Sequence, residues 1–252
     1  MQTAPECAVL VEQKGPVTWV TLNRPHKHNA LNTEMSAALA RACKALTRDV
    51  EIVVLRGSGK NFCAGSDVMD LYAVDSRAAA AVIQLEMDAG YAFAALPQLT
   101  IAVLHGKCCG GGAMLPLYCD MRIGYAGVEL ALPETRLGWA PPYGIERLVA
   151  DTSAAFALDM LLTGRVCGDK EALASGWLQR LVNGEAEVSG LIEQLLQTPG
   201  QTRKDTLALA RARRLPAAQK ADGLAFEAFL NHFDTEYARQ SIAAFVKRKQ
   251  GK

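Results

Sequence analysis

Three consecutive glycines, Gly110, Gly111 and Gly112, follow an apolar run from Leu99 to Leu104 and precede a short apolar segment that reads as a helix. Glycines between a strand and a helix leave backbone N–H groups pointing outward without partners and let a ligand approach the main chain closely. A second bend of the same kind, Cys63-Ala64-Gly65-Ser66-Asp67, comes after the apolar run at 52–55. Together the two bends can offer one N–H each to a single oxygen. Such a pair stabilises the charge that develops on a carbonyl oxygen as an enolate or tetrahedral adduct forms, and losing one donor commonly costs about 10²–10³ in rate. The helix starting at the glycines adds the positive end of its dipole. Glycine spacing alone also describes an ordinary tight turn, and it does not separate the two.

Other reactive residue types give less. The seven cysteines are odd in number and scattered, with Cys108 and Cys109 adjacent and no CxxC spacing, so neither a zinc site nor a disulfide framework is expected. Cys108 and Cys109 are assigned to packing. His26, His28, His105 and His232 show no metal-ligand spacing. With 27 basic against 26 acidic residues the chain has no nucleic-acid signature. The basic run at the end, Lys247-Arg248-Lys249 with Lys252, suits a solvated helix end or an anion contact. The first 15 residues lack a basic start followed by an apolar run, and no stretch approaches the roughly 18 apolar residues of a membrane span. A soluble protein of a reducing cytoplasm is the expectation.

The elements that must hold the bends read as follows. Residues 7–13 and 17–22 form a hairpin about Lys14-Gly15-Pro16, and Asn23-Arg24-Pro25 breaks the second strand. Asn32 caps a helix with Met35, Leu39, Ala42, Cys43 and Leu46 on one face. Strands are expected at 52–55, 99–104, 121–125, 128–132 and 177–182, and helices at 78–96, 152–162 and 169–175. From 188 onward the pattern is helix after helix, at 188–197, 201–214, 218–231 and 235–248. An α/β body over residues 1–187 and a helical region over 188–252 is therefore the expected organisation. Half the residues are hydrophobic and 21% are charged, which is enough to bury a large core.

The fragments Asn23-Arg24-Pro25, Asn29-Ala30-Leu31, Asn61 to Asp67, residues 106–112, Cys119-Asp120, Pro133-Glu134-Thr135-Arg136-Leu137-Gly138 and Leu162-Thr163-Gly164 occur in that order. In order and spacing the chain resembles the enoyl-CoA hydratase/isomerase (crotonase) superfamily, and its ending Ala244 to Lys249 is similar to that family's closing helix. The resemblance implies a crotonase-like spiral of repeated ββα units, with a C-terminal helical region that assembles homotrimers or dimers of trimers. It implies an acyl-CoA substrate, or the same acyl group on an acyl carrier protein, with no cofactor beyond coenzyme A itself. The thioester oxygen would lie between the N–H groups of Ser66 and Gly111.

The hydratases of this family set two glutamates across the substrate. The first position is Met114 here, and the second is Glu134. One carboxylate suffices to lift a proton from C2 and return it at C4, so the resemblance points to a 3-enoyl to 2-enoyl isomerase with Glu134 catalytic. Hydration, decarboxylation of a malonyl-type thioester and non-catalytic acyl-CoA binding are the alternatives. A pocket beside Met114 and Trp139 is expected to raise the Glu134 pKa toward neutrality. Substrate contacts are expected from His26, Lys27, Ala64 and Asp67 at one end and from Met114, Trp139 and Tyr143 around the acyl chain. The closing helix would add Phe245 and Lys247. Tyr143 falls in Trp139-Ala140-Pro141-Pro142-Tyr143-Gly144, a loop that departs from the family's glycine-rich version. Asp67 also reads as a loop-fixing residue and Asp120 as a structural acceptor. The resemblance places Glu86 on the long helix beneath the pocket, where it is a candidate second acid, although a solvated helix face is the expectation.

Overall fold

The computed structural model describes residues 7–72, 74–212 and 214–250, residues 249 and 250 by their backbone alone, so the Lys249 side chain and Lys252 of the basic run lie outside what is described. The chain opens with β1 (Val9–Lys14) and β2 (Val17–Leu22), an antiparallel hairpin. Helix α1 (Thr33–Lys44) begins at Asn32, whose side chain accepts the Met35 N–H. Then come β3 (Ile52–Gly57), α2 (Val68–Tyr72) and α3 (Ser76–Ala94), the last capped by Asp75. Next are β4 (Leu99–Leu104), β5 (Lys107–Cys109), the short α4 (Gly111–Met114), β6 (Met121–Tyr125) and β7 (Glu129–Ala131). After a 3-10 turn at Glu134–Leu137 follow α5 (Ile145–Asp151), α6 (Ala154–Thr163), β8 (Val166–Gly168), α7 (Asp169–Ser175) and β9 (Arg180–Val182). Four helices finish the chain: α8 (Glu185–Leu196), α9 (Gly200–Arg211), α10 (Arg214–Phe233) and α11 (Glu236–Gln250).

The strands form two sheets, one in the order β1-β2-β3-β4-β6-β9 and one in the order β5-β7-β8. From β2 onward the large sheet is parallel. A parallel step needs a crossover, and the chain makes each one by bending into the small sheet before its helix. Thus β4 is followed by β5, and β6 by β7. Earlier turns do the same with single bridges, Leu31 to Ser66 and Cys63 to Cys108. The result is a coil of strand–strand–helix turns in which the bends stack on one another. β2 and β4 are buried along their whole length, as strands covered on both faces must be. One core packs α1, α3 and the inner faces of both sheets, and it takes in Phe229, Phe233, Ala238, Ile242 and Val246 from α10 and α11. A second cluster lies between the large sheet and α8.

Candidate active site

The two glycine bends meet. Cys63 N–H donates to Lys107 O at 3.3 Å and Cys109 N–H donates to Cys63 O at 3.0 Å, which stitches the bend after β3 to β5. Gly65 has φ +93°, and a Cβ there would begin 2.6 Å from Cys109 O and 3.4 Å from Gly111 N. Only glycine permits this approach. Asn29 fixes the outer side by donating through Nδ2 to the carbonyls of Ser58, Asn61 and Phe62. Leu31 N–H donates to Gly65 O and Asp67 N–H to Leu31 O. Ser66 N–H, between those two rungs, and Gly111 N–H, at the first position of α4, donate to no described residue.

Between the bends lies a cavity of about 100 Å³. Its floor is Ala64, Gly65, Ser66, Gly110 and Gly111, and its walls include Met114, Trp139, Tyr143, Phe229 and Phe245. Two carboxyl groups face it. Glu134 starts the 3-10 turn after β7, a turn that ends at Gly138 with φ +86°. Gly110 N–H donates to Ala131 O at 2.9 Å, which ties the glycine bend to the strand that carries Glu134. Glu134 is 8% exposed, and its Oε1 lies 2.8 Å from where a Cβ on Gly110 would begin. Its Oε2 is buried and accepts no hydrogen bond. Burial pushes its pKa up to about 7; its own backbone N–H works against this, and the charge of Glu86 adds to it.

Glu86 is the second carboxyl group, and it corrects the expectation of a solvated face. It is 2% exposed, in the middle of the apolar stripe Val82, Ile83, Met87, Gly90 of α3. Its Oε2 accepts from Ser66 Oγ at 2.9 Å and from Tyr143 Oη at 2.7 Å, while Oε1 has no partner. A Cβ on Gly111 would meet that Oε2 at 3.0 Å and Tyr143 Oη at 2.8 Å, so Glu86 lies against Gly111 as Glu134 lies against Gly110. Burial raises its pKa to about 7 despite the hydroxyls of Tyr143 and Ser66, which favour the charged form, and Asp70 adds to the rise. The 3.6-residue count from Ile83 to Gly90 is the signal that assigns it to the buried face.

The loop that carries Tyr143 is held from behind. Gly144 N–H donates to Asp222 Oδ1 at 2.8 Å, and Asp222 Oδ2 accepts from Tyr91 Oη at 2.5 Å and from Tyr118 Oη. Asp222 is buried on α10, and no sequence motif marks it. Trp139 stacks on Phe233 with ring centroids 5.4 Å apart and meets Phe229 edge-on. Ala64, Met114, Trp139, Tyr143 and Phe245 thus come together with Glu134, Ser66 and Gly111.

His26 and Lys27 are exposed on a 3-10 turn and Lys247 is exposed on α11, all three outside the cavity wall. Asp67 also lies outside the wall. Its Oδ2 is 3.2 Å from both terminal nitrogens of Arg24, and its Oδ1 accepts the Met69 N–H, so its carboxylate is already engaged. Asp120 accepts from Thr100 N–H and Oγ1 and from Arg211. None of the cysteines, Cys63, Cys108 and Cys109 included, is in a disulfide. Among the described residues no cluster of His, Cys, Asp and Glu is arranged to hold a metal ion, and no helix is long and apolar enough to cross a membrane.

A family model described as enoyl-CoA hydratase/isomerase matches residues 12–252. A Rhizobium meliloti (strain 1021) protein named "Probable enoyl-CoA hydratase" is 33% identical over 252 residues, which cover 96% of this chain and 96% of the relative. An enoyl-CoA hydratase/isomerase structure from Mycobacterium paratuberculosis superposes with a TM-score of 0.87 at 23% identity, covering 95% of this chain and 98% of the other. A Thermobifida fusca YX protein solved in complex with acetoacetyl-CoA superposes with a TM-score of 0.73 at 29% identity, covering 87% and 94%.

Proposed function

The chain belongs to the enoyl-CoA hydratase/isomerase family, and from that premise we propose that it moves a proton on an acyl-CoA thioester through an enolate, converting a 3-enoyl to a 2-enoyl chain. One observation carries this reading: the buried carboxyl group of Glu134 lies against the glycine bend, with Oε2 unpartnered, where two backbone N–H groups are also unpartnered. Glu134 takes the C2 proton, and the electron pair passes into the thioester. The N–H groups of Ser66 and Gly111 receive the dienolate oxygen. Protonated Glu134 then gives its proton to C4 and the double bond shifts to C2=C3. A carboxyl group with a pKa near 7 serves as base in the first step and acid in the second. The Thermobifida fusca complex with acetoacetyl-CoA supports the substrate class. Lys27, with His26, is proposed for the nucleotide end of CoA; both are exposed and free to reach it.

Incubating the full chain with a 3-enoyl-CoA and following 2-enoyl thioester formation tests the reading. Glu134→Gln is expected to lower the rate by about 10²–10⁴ while CoA-ester binding persists. Wild-type activity in that variant removes Glu134 from the mechanism. Hydration of a 2-enoyl-CoA is the second reading, favoured by a second carboxyl group, Glu86, in the cavity wall and by the hydratase name of the Rhizobium relative.

A homotrimer or dimer of trimers completes the proposal, supported by exposed Leu158, Leu162 and Val166, two of them one turn apart on α6. Sedimentation at the mass of a single 27.0 kDa chain would sink it. A cytoplasmic location fits seven cysteines of which none is in a disulfide.

A further inference from the structure

Glu86 is a buried carboxyl group that no cation pairs among the described residues. Burial without a counter-charge is costly, and a hydrocarbon or amide side chain would serve packing better. What the fold supplies instead is two hydroxyl donors, Ser66 Oγ and Tyr143 Oη, both on Oε2. That leaves Oε1 buried and unpartnered, on a side chain that lines the same cavity as Glu134. Donors favour an ionised carboxylate, and Glu134 has no side-chain donor. Two like charges in one cavity favour holding a single proton between them. With the hydroxyls holding the charge on Glu86, Glu86 is the base and Glu134 the acid for water addition, and the converse state, with Glu134 ionised, serves removal of the C2 proton.

We propose that Glu86 is a second catalytic residue of this site, one that activates water for addition to C3 of a 2-enoyl thioester. This rests on the enolate reading given above and extends it. In the proposed step Glu86 takes a proton from water as the water oxygen bonds to C3. The C2=C3 electron pair moves into the thioester, and the enolate oxygen is held by the N–H groups of Ser66 and Gly111. Protonated Glu134 delivers its proton to C2, so the product is the 3-hydroxyacyl thioester. The proton on Glu86 then returns the pair to its starting state, through solvent or directly to Glu134. Water and substrate are the only reactants, and no electrons are gained or lost.

Tyr143 and Ser66 act through Glu86. Their hydroxyls fix its rotamer and hold its charge, and Tyr143 is itself fixed by Gly144 and Asp222. The ionisable groups around Glu86 are Tyr143 in contact, with Asp70, Glu134 and Cys63 through space.

The test uses the full chain and two readouts: hydration of a 2-enoyl-CoA, and deuterium wash-in at C2 of a saturated acyl-CoA. The expected result is that Glu86→Gln lowers kcat for hydration by about 10²–10³ and slows C2 exchange less than tenfold, whereas Glu134→Gln abolishes both. Tyr143→Phe removes one hydroxyl and keeps the ring; it lowers hydration about tenfold and moves the acid limb of the kcat profile to higher pH. That variant decides the matter if Glu86→Gln fails to fold. Hydration at the wild-type rate in Glu86→Gln, or in Tyr143→Phe where only that variant folds, overturns the inference, as does a wild-type enzyme that exchanges C2 but never hydrates. Absence of C2 exchange in the wild type would instead bring down the enolate reading, and this inference with it.

Discussion

Glu86 and Glu134 release their protons near pH 4.5 in an unfolded chain and near 7 in the folded one. Between those values the folded state holds protons that the unfolded state has lost, so the contribution to stability is complete below about pH 4.5 and disappears as the pH rises through about 7. The wild-type chain is therefore expected to lose stability from pH 5 to pH 8. Replacing either carboxyl group by an amide should flatten that fall by on the order of 1–3 kcal/mol. Urea midpoints of Glu134→Gln and Glu86→Gln at the two pH values check this; slopes identical to wild type would mean that neither group titrates near neutrality. Of this pair only Glu134 was legible in the sequence, because Pro133-Glu134-Thr135 belongs to an ordered set of fragments. Glu86 has no flanking motif, and a charged residue on a long helix reads as solvated until its helical register is counted against Ile83, Met87 and Gly90.

At the scale of the element, the site depends on how closely two bends approach. Gly110 adopts φ +55° with ψ −128°, a combination open to glycine that costs other residues about 1–3 kcal/mol. A methyl group there would also press on Glu134 Oε1 at 2.8 Å. Gly110→Ala is thus expected to lose about 1–3 kcal/mol of stability and, from displacement of the carboxyl group, about 10²-fold in kcat. Thermal melting and turnover measured together check it; a kcat within twofold of wild type would show that Glu134 is not held by this bend. The glycine bends, the Asn32 cap and the strands at Leu99–Leu104 and Met121–Tyr125 were legible because caps and continuous apolar runs are local signals. The three-residue strands β5 and β8 were not, since three residues give no alternation to count. Helix α5 was hidden by Pro141, Pro142 and Gly144 just ahead of it, residues that read as loop although the αL glycine serves as its N-cap. Asp222 was invisible for a different reason, because its partners on α3, the turn after α4 and the loop before α5 are distant in sequence.

Across the whole molecule, the change from alternating strands and helices to helices alone falls between Val182 and Glu185. What periodicity along a chain cannot show is where such a run of helices goes. Here α10 and α11 fold back over the coil, sharing its core and bringing Phe229 and Phe245 to the cavity. Trp139, from the loop after β7, closes against Phe229 and Phe233, so the wall is shared by segments about 90 residues apart.

That aromatic wall gives the molecule an optical gauge of its own. Of three indoles, Trp19 lies beneath the Arg56 guanidinium and Trp177 beside Phe156, both away from the cavity, whereas Trp139 borders it with its ring N–H buried and unbonded. An acyl thioester sliding in beside Trp139 should change its emission and leave the other two indoles alone. Titrating acetoacetyl-CoA against intrinsic fluorescence should then give a saturating signal that vanishes in Trp139→Phe. A signal that survives the substitution would mean that the acyl chain settles somewhere else.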